Sequence, residues 1–151
     1  MKLALPLLAL AVLLAACGSP PAAPAADLAA PGWQVRQGQA LWKPGRGQPE
    51  IAGDLILSSH PSGGVYLQFS KTLPLVSARI TGRRWEIEFP PENKRYSGGG
   101  DPPKRLIWLQ LIRAIDGGAL PDRWKVIRPS ANFIALENEE TSERLEVHFQ
   151  P

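Results

Sequence analysis

The chain holds a single cysteine, one methionine and two histidines in 151 residues. One thiol makes neither an intrachain disulfide framework nor a thiolate zinc site. His60 and His148 have no metal-ligand partner at i+2 or i+4, so no zinc motif is present. Charge of one sign is scarce as well: seventeen Lys and Arg stand against fourteen Asp and Glu, a formal +3 spread along the chain, and no basic block announces a nucleic-acid partner. Catalytic signatures are also missing. Ser97-Gly98-Gly99-Gly100 lacks the Lys-Ser/Thr of a phosphate loop and is explained by a turn, and neither GxSxG nor HExxH occurs. The sequence therefore predicts a non-enzymatic protein with no cofactor and no metal. The one long apolar run, Leu3 to Leu14, is twelve residues. As a helix it covers ~18 Å against a hydrocarbon core of ~30 Å, too short to span.

That run, preceded by Met1-Lys2, has the charged start and apolar stretch of an export signal. The next residues, Leu14-Ala15-Ala16-Cys17-Gly18-Ser19, resemble the lipobox of bacterial lipoproteins, with Leu three before the cysteine and small residues on both sides. A thiol is the side chain nucleophilic enough to take a diacylglyceryl group, and small neighbours give a membrane peptidase access to the bond. The resemblance implies a signal peptide over 1–16, cleavage before Cys17, acylation of Cys17 and anchoring to a membrane. Two or more acyl chains anchor stably. Gly18 in place of Asp resembles an outer-membrane address. Ser19 to Pro31, with four Pro, six Ala and one charge, builds no core and reads as a tether. The predicted organisation is a signal at 1–16, acylated Cys17 with its tether over 17–31, and one domain over 32–151.

Proline and glycine, sixteen and fourteen of them, punctuate the remainder into short segments, the mark of a turn-rich β domain. In Gly64 to Ser70, Val65, Leu67 and Phe69 alternate with Tyr66, Gln68 and Ser70, the period of a strand with one buried face. Val76, Ala78 and Ile80 repeat the pattern, as do Trp85, Ile87 and Phe89, with Thr81-Gly82-Arg83 as the hairpin turn between. Ile51 to Ser59 makes an upstream strand, and a short one is expected around Lys94 to Ser97. Asp101-Pro102-Pro103 predicts a cap and first turn for a helix over 104–115, apolar at more positions than a surface helix needs and stopped by Gly117-Gly118. Three more strands are expected over 124–128, 133–138 and 145–149. The fold class is mainly β (α+β): a curved antiparallel sheet of eight or nine strands, an unclosed half-barrel, with the apolar helix packed on its concave face.

A lipobox protein whose antiparallel meander is interrupted by an apolar helix and then completed by strands resembles the LolA/LolB-like lipoprotein localisation factors. The likeness runs from about Gly53 to Phe149 and rests on GGVYLQFSKTLPLVSARITGRRWEIEFPPENKRYSGGG, PPKRLIWLQLIRAI and ERLEVHF. These are pattern-level matches. The resemblance implies an unclosed barrel with a hydrophobic cavity under a helical lid, which receives acyl chains of other lipoproteins. The chain's own anchor makes it more like the outer-membrane acceptor than the soluble carrier. The expected partners are bacterial lipoproteins or their acyl chains, together with the inner leaflet of the outer membrane through Cys17, and the expected state is a monomer. The chain departs from the family in its shortness: the N-terminal helix and strands are reduced to Gly32 to Pro49.

The expected acyl-cavity lining is Val65, Leu67, Phe69, Val76, Ala78, Ile80, Trp85, Ile87 and Phe89 from the strands, with Leu106, Leu109 and Ile112 from the helix. An ordinary filled core fits the same alternation. Leu73, in Lys71-Thr72-Leu73-Pro74, is by position the candidate for a membrane-contact loop; a buried loop leucine is the alternative. Trp85 and Trp108 lie in apolar faces and read as core, whereas Trp33 and Trp42, in a polar Gly-rich segment, are candidates for a surface that holds a protein partner. The second functional class is accordingly an accessory lipoprotein that mediates protein–protein contact in an envelope complex. Glu86 and Glu88 read as a solvated strand edge. Between Arg79 and Arg128 eleven basic residues stand against six acidic ones, an excess suited to steering an anionic partner.

Overall fold

The computed structural model describes residues 27–151. The expected signal peptide, Cys17 and most of the tether lie outside the described residues. From Gln34 onward the chain forms nine antiparallel strands: β1 Gln34–Lys43, β2 Ile51–Ser59, β3 Gly64–Ser70, β4 Pro74–Thr81, β5 Arg84–Phe89, β6 Lys94–Gly99, β7 Trp124–Ser130, β8 Phe133–Asn138 and β9 Arg144–Phe149. One short helix, α1, spans Ile107–Ile115. The strands belong to one unclosed sheet in the order β6-β5-β4-β3-β2-β1-β9-β8-β7. The first six form a meander. The chain then crosses from one edge to the other through α1, and β9 returns to pair with β1, Gly38 opposite Phe149 and Trp42 opposite Leu145.

Short turns set this order because antiparallel neighbours need only a few residues between them. At the β2–β3 turn the His60 N–H donates to Gly64 O (2.8 Å) and the Gly63 N–H to His60 O (2.9 Å). Gly63 there has φ +90°, a conformation that glycine adopts without steric penalty. The β2–β3 turn also receives the end of the tether: His60 Nε2 lies 3.3 Å from Pro31 O, and the His60 ring packs on Trp33 at 5.4 Å.

The register carries apolar rows across the sheet. Ile87, Ala78, Leu67 and Leu57 are successive cross-strand partners, a row that ends on Arg36 of β1. A second row passes through Val76, Phe69, Leu55, Gly38 and Phe149. Leu67, Phe69, Val76 and Ile87 have no accessible surface. Full burial of each such side chain contributes about 1.5–3 kcal/mol. The buried cluster draws on every strand except β6 and on α1, so the sheet and the helix share one core. Among the described residues all of it lies within 34–149, one core of the kind that a single folding unit has.

The helix is shorter than the sequence suggests. It starts at Ile107 and its N-cap, Leu106, has no side-chain cap, so Asp101 does not fill that role. The consecutive prolines hold the chain out of helix, and Pro103 O accepts the Leu106 N–H (3.1 Å) and the Gln110 side-chain amide (3.0 Å). Strand β6 runs on to Gly99, and strand β1, ten residues long, occupies a segment with little apolar alternation. The core-facing side of β1 is Gly38, Ala40 and Trp42. Gly38 is small by necessity, because a Cβ there would run into His148 O of β9.

Candidate functional site

The expected lining residues converge. Val65, Leu67, Phe69, Val76, Ala78, Ile87, Leu109 and Ile112 are buried in the central cluster, and Ile80, Trp85, Phe89 and Leu106 are half-buried and packed against it. They are joined by residues that the sequence reading did not select, among them Leu55, Trp108, Leu136, Leu145 and Val147. The signal for the last two was present in the alternation of β9. The interior is closed: a side chain with no accessible surface has no water-sized void beside it, which is the condition of Leu67, Phe69 and Leu109.

Helix α1 is the apolar centre of this arrangement. Seven of its nine residues are buried, the exceptions being Arg113 and Ile115. Trp108 stacks on Phe69 of β3 at 4.8 Å between ring centroids and meets Trp42 of β1 edge-on at 5.4 Å. Trp42 is therefore a core contact, not the surface aromatic that its polar surroundings suggested. Trp33 is half-buried against His60. The segment before the helix is tied down by the Trp124 indole N–H, which donates to Lys104 O (2.8 Å).

Polar groups inside this apolar region are incompletely satisfied. The Trp108 Nε1–H and Gln110 Oε1 are buried and have no hydrogen-bond partner. Beside Trp108, the Trp42 Nε1–H donates to Glu143 Oε1 at 3.1 Å. Burial pushes the Glu143 carboxyl up to about 7, against the downward pull of that hydrogen bond. The loop that carries Glu143 is fixed by Asn138, whose Oδ1 accepts the N–H groups of Glu140 (2.9 Å) and Thr141 (3.1 Å).

Two surface depressions flank the core. One, of about 160 Å³, lies on the opposite, polar face of β3–β6, with Tyr66, Arg79, Glu86 and Glu88 on its walls. Arg95 pairs there with Glu86, so Glu86 is an ion-pair member rather than a bare edge carboxylate. The other, of about 110 Å³, opens on the core side at the rim, where Arg36 and Arg128 stand over a floor of Ile115, Ile134 and Phe149. The Arg36 guanidinium lies 3.8 Å from the centroid of the Phe149 ring.

Leu73 is on the β3–β4 turn and is 70% exposed, not a buried loop leucine. The turn is closed by the Lys71 N–H donating to Leu73 O (3.1 Å). Among the described residues no helix is long and apolar enough to cross a membrane, and no group of three or more acidic, His or Cys side chains is placed to hold a metal ion. Comparison with protein-family models and with curated proteins finds no match to this chain.

Proposed function

We propose that the protein is a lipid-anchored, periplasm-facing lipoprotein that binds acyl chains and helps localise or insert other lipoproteins at the outer membrane, in the manner of a LolB-like acceptor. In this reading Cys17 carries the anchor. The sheet is a curved half-barrel, and α1 lies on its concave face as a lid over the acyl site. The observation that carries the reading is the interior itself: one apolar cluster, contributed by eight strands, that takes in seven of the nine residues of the helix. Burial of even Gln110, on the polar side with Arg113, goes beyond what a surface helix needs.

The unpartnered Trp108 Nε1–H and Gln110 Oε1 support displacement of that helix. Each buried polar atom left without a partner costs about 1–3 kcal/mol, so the closed form is held less firmly than its apolar area suggests. A sixteen-carbon chain gains up to ~12 kcal/mol at ~0.8 per methylene before ordering costs, enough to replace the helix contacts that it displaces. Leu73, exposed on a turn, supplies an apolar tip for contact with the bilayer. Neither step needs bond chemistry, in keeping with a non-catalytic protein.

The test uses an acylated lipopeptide brominated midway along its chains, which quenches indole emission only on contact. Mixed with the domain from Gly32, it is expected to quench a fraction of the emission that the Trp42→Phe/Trp108→Phe double variant lacks. Emission from that pair unchanged at saturating lipopeptide contradicts the reading.

One observation favours a second reading, an accessory lipoprotein in an envelope complex. Edge strand β7 exposes Val126 and Ile127 beside an open backbone ladder, a template for a partner's strand. It predicts a co-purifying protein that Ile127→Lys releases, and no bound lipid.

A further inference from the structure

We infer that the rim depression at the C-terminal end of α1 is a headgroup site for an anionic amphiphile, in which Arg36 and Arg128 hold a carboxylate or phosphate while its acyl chain runs inward. This inference rests on the acyl-binding reading above and adds the polarity and the position of the opening.

The residues of the depression belong to two chemical classes. Its floor is Ile134 and Phe149, both members of the buried cluster, with Ile115 packed against the same cluster. The floor is thus the outer skin of the core. Its rim is Arg36, Arg128 and Ser130, all exposed. Register places Arg36, and a strand irregularity places Arg128. Arg36 continues the Ile87-Ala78-Leu67-Leu57 row, so its side chain leaves the same face of the sheet as the core leucines. The Arg36 guanidinium is thus a charged terminus to an apolar track. Arg128 lies where the β7–β8 register shifts, between Ile127 and Ser130, and this irregularity is where it joins the wall of the depression.

The two guanidiniums are also without carboxylate partners. Arg95, Arg113, Arg123 and Arg144 each pair with an acid. Among the described residues Arg36 and Arg128 form no ion pair, and the contact of Arg36 is the Phe149 ring. No acid lines the depression. Three carbonyls at the helix end accept chain N–H groups, with Asp116 N donating to Ile112 O (3.1 Å), Gly117 N to Ala114 O (3.2 Å) and Gly118 N to Arg113 O (2.8 Å). Two planar forks on the wall of one small depression suit carboxylate and phosphate oxygens.

Size decides which part of the ligand the depression takes. Sites that hold a whole drug-sized ligand measure roughly 300–1,000 Å³. At about 110 Å³ this one has room for a headgroup and not for a long chain. The chain must pass over Ile134 and Phe149 into the cluster, between α1 and strands β8 and β9. That path displaces Ile115, the last and least buried apolar residue of the helix.

The test compares three probes that share one palmitoyl chain: palmitate, palmitoyl lysophosphatidylglycerol and neutral 1-monopalmitoylglycerol. Binding to the domain from Gly32 is measured by calorimetry below the critical micelle concentrations, for the natural sequence and for Arg36→Gln/Arg128→Gln. Both arginines are exposed, and thermal melting checks that the variant is folded. A third protein, Arg46→Gln, alters an exposed turn away from the rim. The expected result is that both anionic probes bind roughly tenfold or more tighter than the neutral one, that the double variant erases the difference, and that Arg46→Gln preserves it. A preference for palmitate alone, or for the phospholipid alone, with the same dependence on the arginines, supports the site and identifies the source of the anion. Equal binding of all three probes, or an anion preference that survives the double variant, overturns the headgroup site and leaves acyl binding standing. No binding of any probe by the natural sequence overturns both.

Discussion

Glu143 is the residue whose chemistry is most displaced from its ordinary behaviour. Its unfolded value is near 4.5 and burial raises it to about 7 in the folded chain, so the folded state holds the proton more tightly. The contribution of this proton to stability is complete below about pH 4.5 and is lost as pH rises through about 7. The window amounts to on the order of 2–3 kcal/mol. Chemical denaturation at pH 5 and pH 8 is expected to show that loss, and Glu143→Gln is expected to remove this part of the pH dependence while keeping an acceptor for the Trp42 indole. An unchanged slope in the variant contradicts the assignment. At the same scale, Gly38 makes a stricter demand. A Cβ at that position meets the carbonyl of His148 on the paired strand, which is backbone and does not yield as a flexible side chain does. Gly38→Val is expected to destabilise the domain by about 1–3 kcal/mol or more, read from the denaturation midpoint. By contrast Leu73→Asp, on an exposed turn, is expected to leave the melting temperature within about 1 °C and to weaken binding of the domain to phospholipid vesicles. Vesicle binding equal to that of the natural sequence removes Leu73 from the membrane contact.

At the scale of elements, α1 carries most of the functional argument. Gln110 is fully buried: its amide N–H reaches Pro103 O and its carbonyl oxygen reaches nothing. Pro103 O still accepts the Leu106 N–H when the side-chain amide is gone. Gln110→Met, close in volume, is therefore expected to stabilise the closed form by about 1 kcal/mol in denaturation experiments and to slow acyl uptake. A destabilised variant contradicts the view that the orphaned oxygen loosens the helix. The elements also differ in how plainly the sequence announced them. Strands β3, β4, β5 and β9 were legible because apolar residues alternate with polar ones, as in Leu145-Glu146-Val147-His148-Phe149. Strand β1 was not, because its core-facing positions before Trp42 are only Gly38 and Ala40, the first kept small by the closeness of β9. Local pattern does not report a constraint imposed by a strand more than a hundred residues later. The helix start was misplaced for a related reason: prolines that are compatible with a first turn also form the preceding tight turn, and contacts of Pro103 decide between them. Most of the expected lining was legible as one face of a meander. Trp42 of β1 and Trp108 of α1 meet between helix and sheet, and nothing in the spacing of positions 42 and 108 foretells that.

For the whole molecule, the sheet is open at β6 and β7, yet the core-facing sides of its two halves contribute to a single cluster around one helix. That architecture sets two alternatives against each other. A packed interior that never opens makes the domain a scaffold, whose useful surfaces are its edges. An interior that exchanges α1 for acyl chains makes it a carrier or acceptor, and the unsatisfied groups on the helix, the arginine rim and the exposed Leu73 all fall into place around that exchange. The most direct measurement is native mass spectrometry with lipid extraction on the domain from Gly32, exported without Cys17 and purified without detergent. The account predicts acyl species bound in stoichiometric amount, or taken up when lipopeptide is offered. A clean apo mass from a cooperatively folded protein that also ignores offered lipopeptide would contradict it.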